Sequence, residues 1–406
     1  MNTPTRLEKI IFWILCALFV SSTFSSALVE ITFSAALILW IYWKTRPGIQ
    51  HILADWDAGL FFLAAFALFC ALTWFWSEFP PQSAKGMFKV LQQFFLLWMA
   101  RDFFSGTEQQ KFFDRLVPIL YAVLILDAGV QYLTGRDFIR GLAGEPASAG
   151  YRVGASFKSY GQFAAFLAVT LPYLLTQAWN AWRRRSFSAA WLHGFLAAGG
   201  LTCLFLTRSR GGLMAFAGGV GILFLLRAQW KWIAALALLC AGLFFALPKG
   251  MIIHLDAENR EQSLVERYYL WDRALHVIRA KPLGGTGINT YAVAHQRYDK
   301  TQNWRVRNYY AHNGYLQIGA ETGLPGLGLF LAGLVLLIRQ AIRRVRAQSG
   351  AESSEGRARL WAVLTGVFAF LIMSLADTVM HNNQSVLLFW FWLGLLAALS
   401  RTPRTA

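Results

Sequence analysis

Apolar residues come in long blocks along this chain, and polar residues gather in the breaks between them. A helix needs roughly 20 apolar residues to cross a bilayer. Twelve such blocks can be marked, near 10–26, 29–44, 56–76, 87–101, 116–134, 161–181, 189–206, 212–227, 231–248, 324–342, 359–379 and 384–400. Each predicts a helix, because lipid leaves the N–H and C=O groups of an irregular backbone unsatisfied. A short polar break near Ser25 and Ser26 separates the first two, which predicts a tight hairpin. The pattern is that of an all-α integral membrane protein with about twelve transmembrane helices, a single polytopic domain over residues 1–406. The first block follows Arg6 and Lys9 as a signal peptide would, but no clear small-residue cleavage site follows it, so it reads as the first helix.

The largest polar interruption, 249–311, lies between the ninth and tenth blocks, and part of it is periodic. From Ser263 to Lys281 the residues Leu264, Tyr268, Trp271, Leu275 and Ile278 fall at four- and three-residue steps. That spacing makes one stripe of an amphipathic helix over 263–281. Arg267 lies at the edge of the stripe and Arg273 points away from it, so a helix lying on the bundle would aim Arg267 inward. Pro282 and the glycines of LGGTG end it. Ser349 to Glu355 reads as a polar loop, and neither an internal repeat nor a low-complexity tract is visible.

Composition agrees. The chain is 56% hydrophobic and 15% charged, too apolar for a soluble protein, yet its net charge is +17. The placement of that charge matters more than its size. An even number of spans puts both termini on one side. Loops on that side hold Arg6/Lys9, Lys44/Arg46, Arg101/Lys111/Arg115, Arg183 to Arg185, Arg227/Lys231, Arg339/Arg343/Arg344/Arg346 and Arg401/Arg404. By the positive-inside rule this face is cytoplasmic. No soluble domain carries the charge, which excludes a nucleic-acid partner. The opposite face should be poor in Lys and Arg, but three of its loops are not. Segment 135–160 holds Arg136, Arg140, Arg152 and Lys158; the turn TRSRGG holds Arg208 and Arg210; and 249–311 holds Lys249, Arg260, Arg267, Arg273, Arg279, Lys281, Arg297, Lys300, Arg305 and Arg307. Long loops escape the rule, whereas TRSRGG is too short to do so. Charge kept there against the bias points to a bound anion. Phosphate or diphosphate suits arginine, whose planar fork bonds two oxygens at once. Interfacial anchoring is the plainer alternative for Arg208 and Arg210, and a solvated loop for Arg152 and Lys158. Cys16, Cys70, Cys203 and Cys240 all lie in apolar blocks and read as packing residues.

The sharpest local pattern is HNGYLQIGAETGLPG, where His312 and Asn313 precede Gly323 and Gly326. An apolar run starts at once after Asn313, so His312 sits near a helix N-terminus, whose dipole favours a neutral ring. A neutral imidazole at a membrane boundary can take a proton from a hydroxyl. Gly323-Leu324-Pro325-Gly326 predicts a break between this short helix and the tenth span. Gly211 and Gly212 predict a tight turn into the eighth helix, with backbone amides facing an anion. Asp377, near His381 at the outer end of the eleventh span, is either a functional acid or an arginine partner. There is no P-loop, HExxH, CxxC or GxSxG pattern, and no paired external acids to hold a metal. The anion-handling groups are therefore expected to be arginines, with no cofactor or metal.

The pattern His312-Asn313, nine residues, Gly323, two residues, Gly326 resembles the signature of bacterial O-antigen ligases, in the superfamily that also holds O-antigen polymerases and O-linked oligosaccharyltransferases. TRSRGG resembles that family's Ser-Arg-Gly-Gly turn, Arg267 with Trp271, Pro282 and Gly285-Thr286-Gly287 its periplasmic-loop run, and Arg152 with the following GASF the element before the sixth span. The resemblance implies a metal-independent, GT-C-like membrane glycosyltransferase in the bacterial inner membrane, its site facing the periplasm. It implies an undecaprenyl-diphosphate-linked O-antigen donor and a lipid A–core acceptor. His312 would be the base, with Arg208, Arg210, Arg267 and Arg152 on the diphosphate and Asn313, Asp377 and Lys158 in support. Polymerase and oligosaccharyltransferase share the donor and differ in acceptor. The chain ends at Thr405-Ala406 just after the last span, which weighs against the oligosaccharyltransferase, often extended by a C-terminal domain. A lipid-linked-glycan transporter would spread basic residues through membrane depth and show an inverted repeat; here they cluster on one face.

Overall fold

Each apolar block marked in the sequence folds mainly as helix over its described residues. The structure, a computed structural model, describes residues 5–46, 56–146, 150–246, 257–298, 309–347 and 353–401. In chain order its α-helices are α1 (Arg6–Ser21), α2 (Ser26–Thr45), α3 (Ala58–Leu72), α4 (Pro80–Phe103), α5 (Thr107–Thr134), α6 (Tyr160–Arg183), α7 (Phe187–Leu206), α8 (Arg210–Leu226), α9 (Trp230–Ala246), α10 (Ala257–Ala280), α11 (Tyr291–Ala294), α12 (Gly314–Ala347), α13 (Ser353–Met373) and α14 (Asn383–Ser400). Short 3-10 turns follow at Thr73–Trp76 and His295–Tyr298. The starts are set chemically. Ser25, Asp57, Ser159 and Ser209 each accept a hydrogen bond from the first turn of the helix they precede, satisfying an otherwise orphaned N–H. Thr5 and Glu8 form a reciprocal capping box.

Among the described residues seven helices are long and apolar enough to cross a membrane: 26–45, 58–76, 107–134, 187–206, 314–347, 354–373 and 383–400, with Arg210–Leu226 a shorter apolar helix. The chain is an all-α, multi-pass membrane protein with seven such spans, against the twelve expected. The difference has a physical cause. α1, α8 and α9 have 16, 17 and 17 described helical residues, short of the roughly 20 a crossing needs. α4 and α6 carry buried polar side chains, Gln92, Gln93 and Arg101 in one and Gln162 and Gln177 in the other. These two helices face protein, where polar groups find partners, so their hydropathy is low.

α14 is the axis: its residues from Gln384 to Ala398 are all buried. α4 packs along it, α13 packs on α6 and α8, α6 on α7, and α12 on α3. Gly366 lets α13 reach the backbone of its neighbour; a Cβ there would stand 2.2 Å from the Val169 carbonyl oxygen. Close approach at small residues is how helices associate without a hydrophobic drive. Outward, Ile31, Ile38, Phe61, Phe195 and Val335 are exposed, as a lipid-facing surface requires. Cys16, Cys70 and Cys203 are buried free thiols, and the Cys240 side chain lies outside the described residues.

Three expectations change. α10 begins at Ala257, six residues ahead of the predicted Ser263. Its buried face is Leu270, Ala274 and Val277, whereas Tyr268 and Leu275 are exposed. The face is thus turned from the expected stripe by roughly 100°, one residue's rotation. Large apolar side chains mark a stripe in the sequence, but here the small Ala274 makes the close contact. Arg267 stays near the edge of both faces, while Arg273 is packed inward with only 13% side-chain exposure. Second, α13 ends at Met373 rather than near 379, leaving Asp377 in the turn that follows. Third, Ser353 to Glu355 is helical rather than loop. A two-residue antiparallel hairpin, β1 (Glu145–Pro146) with β2 (Tyr151–Arg152), was not anticipated. Lys249, Lys300, Arg305, Arg307, Ser349 and Arg404 to Ala406 lie outside the described residues, as do the side chains of Arg260 and Leu264.

Candidate active site

The start of α12 places His312. Asn313 is its cap: the side-chain Oδ1 accepts from the N–H groups of Tyr315 and Leu316, both at 3.0 Å. The turn after α13 holds the same point, because Gly314 N–H donates to the Ser374 carbonyl at 2.8 Å and Tyr315 Oη donates to that of Leu371 at 2.9 Å. His312 itself has φ 49°, the left-handed region, which costs a residue with a Cβ roughly 1–2 kcal/mol. Its Nδ1 is buried with no hydrogen-bond partner among the described residues. Burial pushes the imidazole pKa below its ordinary value, the Arg267 charge pushes the same way, and Asp377 opposes them. Burial and the Arg267 charge thus favour the neutral ring, and both Arg267 and Asp377 lie within electrostatic reach of it.

Asp377 also faces the arginine turn, since a Cβ at Gly211 would stand 3.9 Å from its Oδ2. That turn is built as the sequence suggests. Arg208 takes φ 51°, Ser209 caps α8 by accepting from Gly212 N–H at 3.1 Å, and Arg210 is the exposed first residue of the helix. Arg152 supports it from the side. Its Nε donates to the Thr207 carbonyl at 2.7 Å, its Nη2 to that of Arg208 at 3.3 Å, and its Nη1 pairs with Glu145 at 3.4 Å. The guanidinium stacks on Tyr160, 3.1 Å from the ring centroid. Arg152 thus acts as a strut for the 207–210 turn. Lys158 is exposed ahead of α6 and joins none of these contacts among the described residues.

Arg267 is half-buried on α10 and makes no hydrogen bond or ion pair among the described residues, though His312 feels its charge. Arg273 differs: its Nη1 donates to the Tyr298 carbonyl at 3.0 Å, its Nη2 pairs with Asp272, and it lies over the Tyr269 ring. The structure therefore brings together His312, Arg267 and Asp377, with Asp377 leading to the Arg208–Arg210 turn. Among the described residues no group of three or more His, Cys, Asp or Glu side chains is arranged to hold a metal.

Two parts of the site were missed. Gln317 and Glu321 are 1% and 0% exposed on the inner face of α12. The available signal was an acid four residues after a glutamine in an otherwise apolar run. Beyond Met380, whose side chain meets Gly314, lies a pocket partly open to the outside. Lys89, Asn289 and His381 line its polar part and Phe66, Phe330 and Trp390 its apolar part. His381 stacks on Tyr310, and burial, aided by the Lys89 charge, lowers its pKa to about 3. The break after Glu321 is as predicted. Gly323 has φ 68°, and a Cβ there would stand 2.6 Å from the Pro282 carbonyl oxygen. Leu324 N–H donates to that oxygen at 2.7 Å, so the kink is where the end of α10 is clamped to α12.

Residues 195–331 match the sequence profile of a family described as O-Antigen ligase. The matched segment includes Arg208, Arg210, Arg267, His312 and Asn313, and leaves out Arg152, Lys158 and Asp377. The chain is also 24% identical over 340 residues to the exopolysaccharide production protein ExoQ of Rhizobium meliloti (strain 1021), covering 78% of this chain and 71% of the relative.

Proposed function

We propose that this chain is a membrane glycosyltransferase of the O-antigen ligase type, moving O-antigen from undecaprenyl diphosphate to a hydroxyl of lipid A–core at the periplasmic face of the inner membrane. The observation that carries the reading is His312 at the start of α12, held at φ 49° with its Nδ1 buried and unpartnered among the described residues, within electrostatic reach of Arg267 and Asp377. The acceptor hydroxyl attacks the anomeric carbon and gives its proton to His312. As that C–O bond forms, the bond to the diphosphate breaks, and the lipid diphosphate leaves with the electron pair. The anomeric configuration inverts. Arg267 and the Arg208–Arg210 turn meet the charge that grows on the leaving oxygen, where fixed cations are worth most. Asp377 stabilises the imidazolium that forms. Arg152 serves by holding the turn, Asn313 by fixing the helix start. Arginine neutralisation requires no divalent metal.

The relative named for exopolysaccharide production favours a second reading, in which the acceptor is another lipid-linked glycan and the product a longer polymer. One experiment separates them. Purified protein is given undecaprenyl-diphosphate-linked O-antigen with lipid A–core, or without it, each in chelator. Glycosylated lipid A–core supports the ligase, and longer lipid-linked chains the polymerase. Absence of both products, or a reaction that stops in chelator and returns with magnesium, overturns the proposal.

A further inference from the structure

We infer that Glu321 and Gln317 are positioning residues that fix His312 relative to Arg267. The inference rests on the reading of His312 as the base. Glu321 is wholly buried on α12, and each of its carboxylate oxygens is used. Oε1 accepts from Gln317 Nε2 at 2.9 Å and from Tyr291 N–H at 3.1 Å; Oε2 accepts from Asn289 N–H at 2.7 Å. Two chains of bonds leave this point. In one, Gln317 Oε1 accepts from Ala311 N–H at 3.2 Å, and Ala311 is the residue before His312. That bond fixes the peptide entering Ala311, one residue ahead of His312 at φ 49°. In the other, Tyr291 Oη donates to the Leu270 carbonyl at 2.6 Å, one turn along α10 from Arg267. The same carboxylate therefore holds the backbone on both sides of the reacting centre.

Backbone bonds strengthen the junction. Thr286 N–H donates to the Ala320 carbonyl at 3.1 Å and Gly287 N–H to that of Glu321 at 2.9 Å. Gly285, at φ 61°, allows this approach, since a Cβ there would stand 2.3 Å from the Glu321 carbonyl carbon. The requirement for a carboxylate follows from counting acceptors. Three donors converge on two oxygens, and an amide at position 321 would offer only one oxygen and turn an N–H toward a donor. A bound geometry off by about 1 Å can lower a rate by two orders of magnitude, so a device that sets this spacing affects turnover without touching substrate.

The test is a double-mutant cycle on the full chain in lipid, with undecaprenyl-diphosphate-linked O-antigen as donor and lipid A–core as acceptor. Gln317→Met removes the link to Ala311 and leaves Glu321 tied to 289–291. It should lower kcat on the order of 10-fold or more, with donor KM and thermal midpoint near wild type. In a His312→Ala background the same change should cost nothing further, because it acts through His312. Tyr291→Phe cuts the other chain and should lower kcat several-fold through Arg267, with nothing further lost in an Arg267→Ala background. Equal losses from Gln317→Met in the wild-type and His312→Ala backgrounds, or wild-type kcat in both Gln317→Met and Tyr291→Phe, would overturn the inference. Full turnover by His312→Ala would instead remove the base reading on which it stands.

Discussion

The two ends of the helix bundle treat positive charge differently. At the end assigned to the cytoplasm, Asp102 gathers Lys44 at 3.1 Å, Arg401 at 3.6 Å and Arg101 at 4.0 Å, and accepts from Trp40 Nε1 at 3.0 Å. Asp114 takes Arg359 at 2.6 Å and the Tyr173 hydroxyl at 2.7 Å, and Arg184 meets Glu355 at 2.9 Å. At the other end Arg267 has no carboxylate partner among the described residues and lies within electrostatic reach of His312. In a bare count of arginines these are equivalent. In three dimensions one set has its countercharge inside the chain and holds helices together. At the other end Arg152 and Arg273 have carboxylates of their own, Glu145 and Asp272, and Arg267 is the exception that makes no ion pair among the described residues. A charge kept at a membrane boundary without an internal partner is a functional feature by default.

That contrast can be broken from either side. Arg267→Ala should lose about 10²- to 10³-fold in kcat, the range for removing one group aimed at developing charge, with the thermal midpoint unchanged. Arg267→Lys should still lose on the order of 10-fold, because an ammonium does not match two diphosphate oxygens. Asp102→Asn should do the opposite. It leaves Lys44, Arg101 and Arg401 facing one another in a buried site and should cost about 3 kcal/mol of stability, measured as a lower thermal midpoint, while turnover per folded molecule stays at wild type. Wild-type turnover in Arg267→Ala, or wild-type stability in Asp102→Asn, would erase the distinction.

Arg273→Lys sharpens the comparison within one helix. The largely buried guanidinium bridges Asp272 and the Tyr298 carbonyl, so a lysine should loosen the 295–298 turn and lower stability modestly, with kcat lowered less than in Arg267→Lys. Kinetics on purified variants check the order. The smallest effect is in pH. His312 works as a base only when neutral, so turnover should hold steady down to its lowered pKa and fall on the acid side of it. The protonated form is disfavoured by burial and by Arg267 and favoured by Asp377. Asp377→Asn should therefore move the acid limb to lower pH, and Arg267→Ala to higher pH. A limb that shifts the other way in either variant would place these charges wrongly.

Much of the helix layout was legible because bilayer thickness imposes a length that composition reveals, and because Ser25, Ser209, Asn313 and Gly323 carry local signals for starts and kinks. The turn at 207–212 and the break after Glu321 could be drawn from residue types alone. The orientation of α10 could not. Its contacts are made by Ala274 and Val277 against distant elements, and periodicity favours bulkier residues. Nor could the role of Arg152, whose partners Thr207 and Arg208 lie 55 and 56 residues away. Glu321 was invisible as a junction for the same reason. Its donors come from segments 30 and 32 residues earlier, and only folding brings them to one carboxylate.

The role proposed for His312 is to take the acceptor proton at the end of the bundle where Arg267 makes no ion pair among the described residues. Its most direct measurement is transfer of O-antigen from undecaprenyl diphosphate to lipid A–core by purified wild-type and His312→Ala protein, with donor binding measured on the same samples. The account predicts that His312→Ala binds donor as wild type does and transfers roughly 10²- to 10⁴-fold more slowly, the span expected for losing a general base. Transfer at the wild-type rate by His312→Ala with intact donor binding would contradict it.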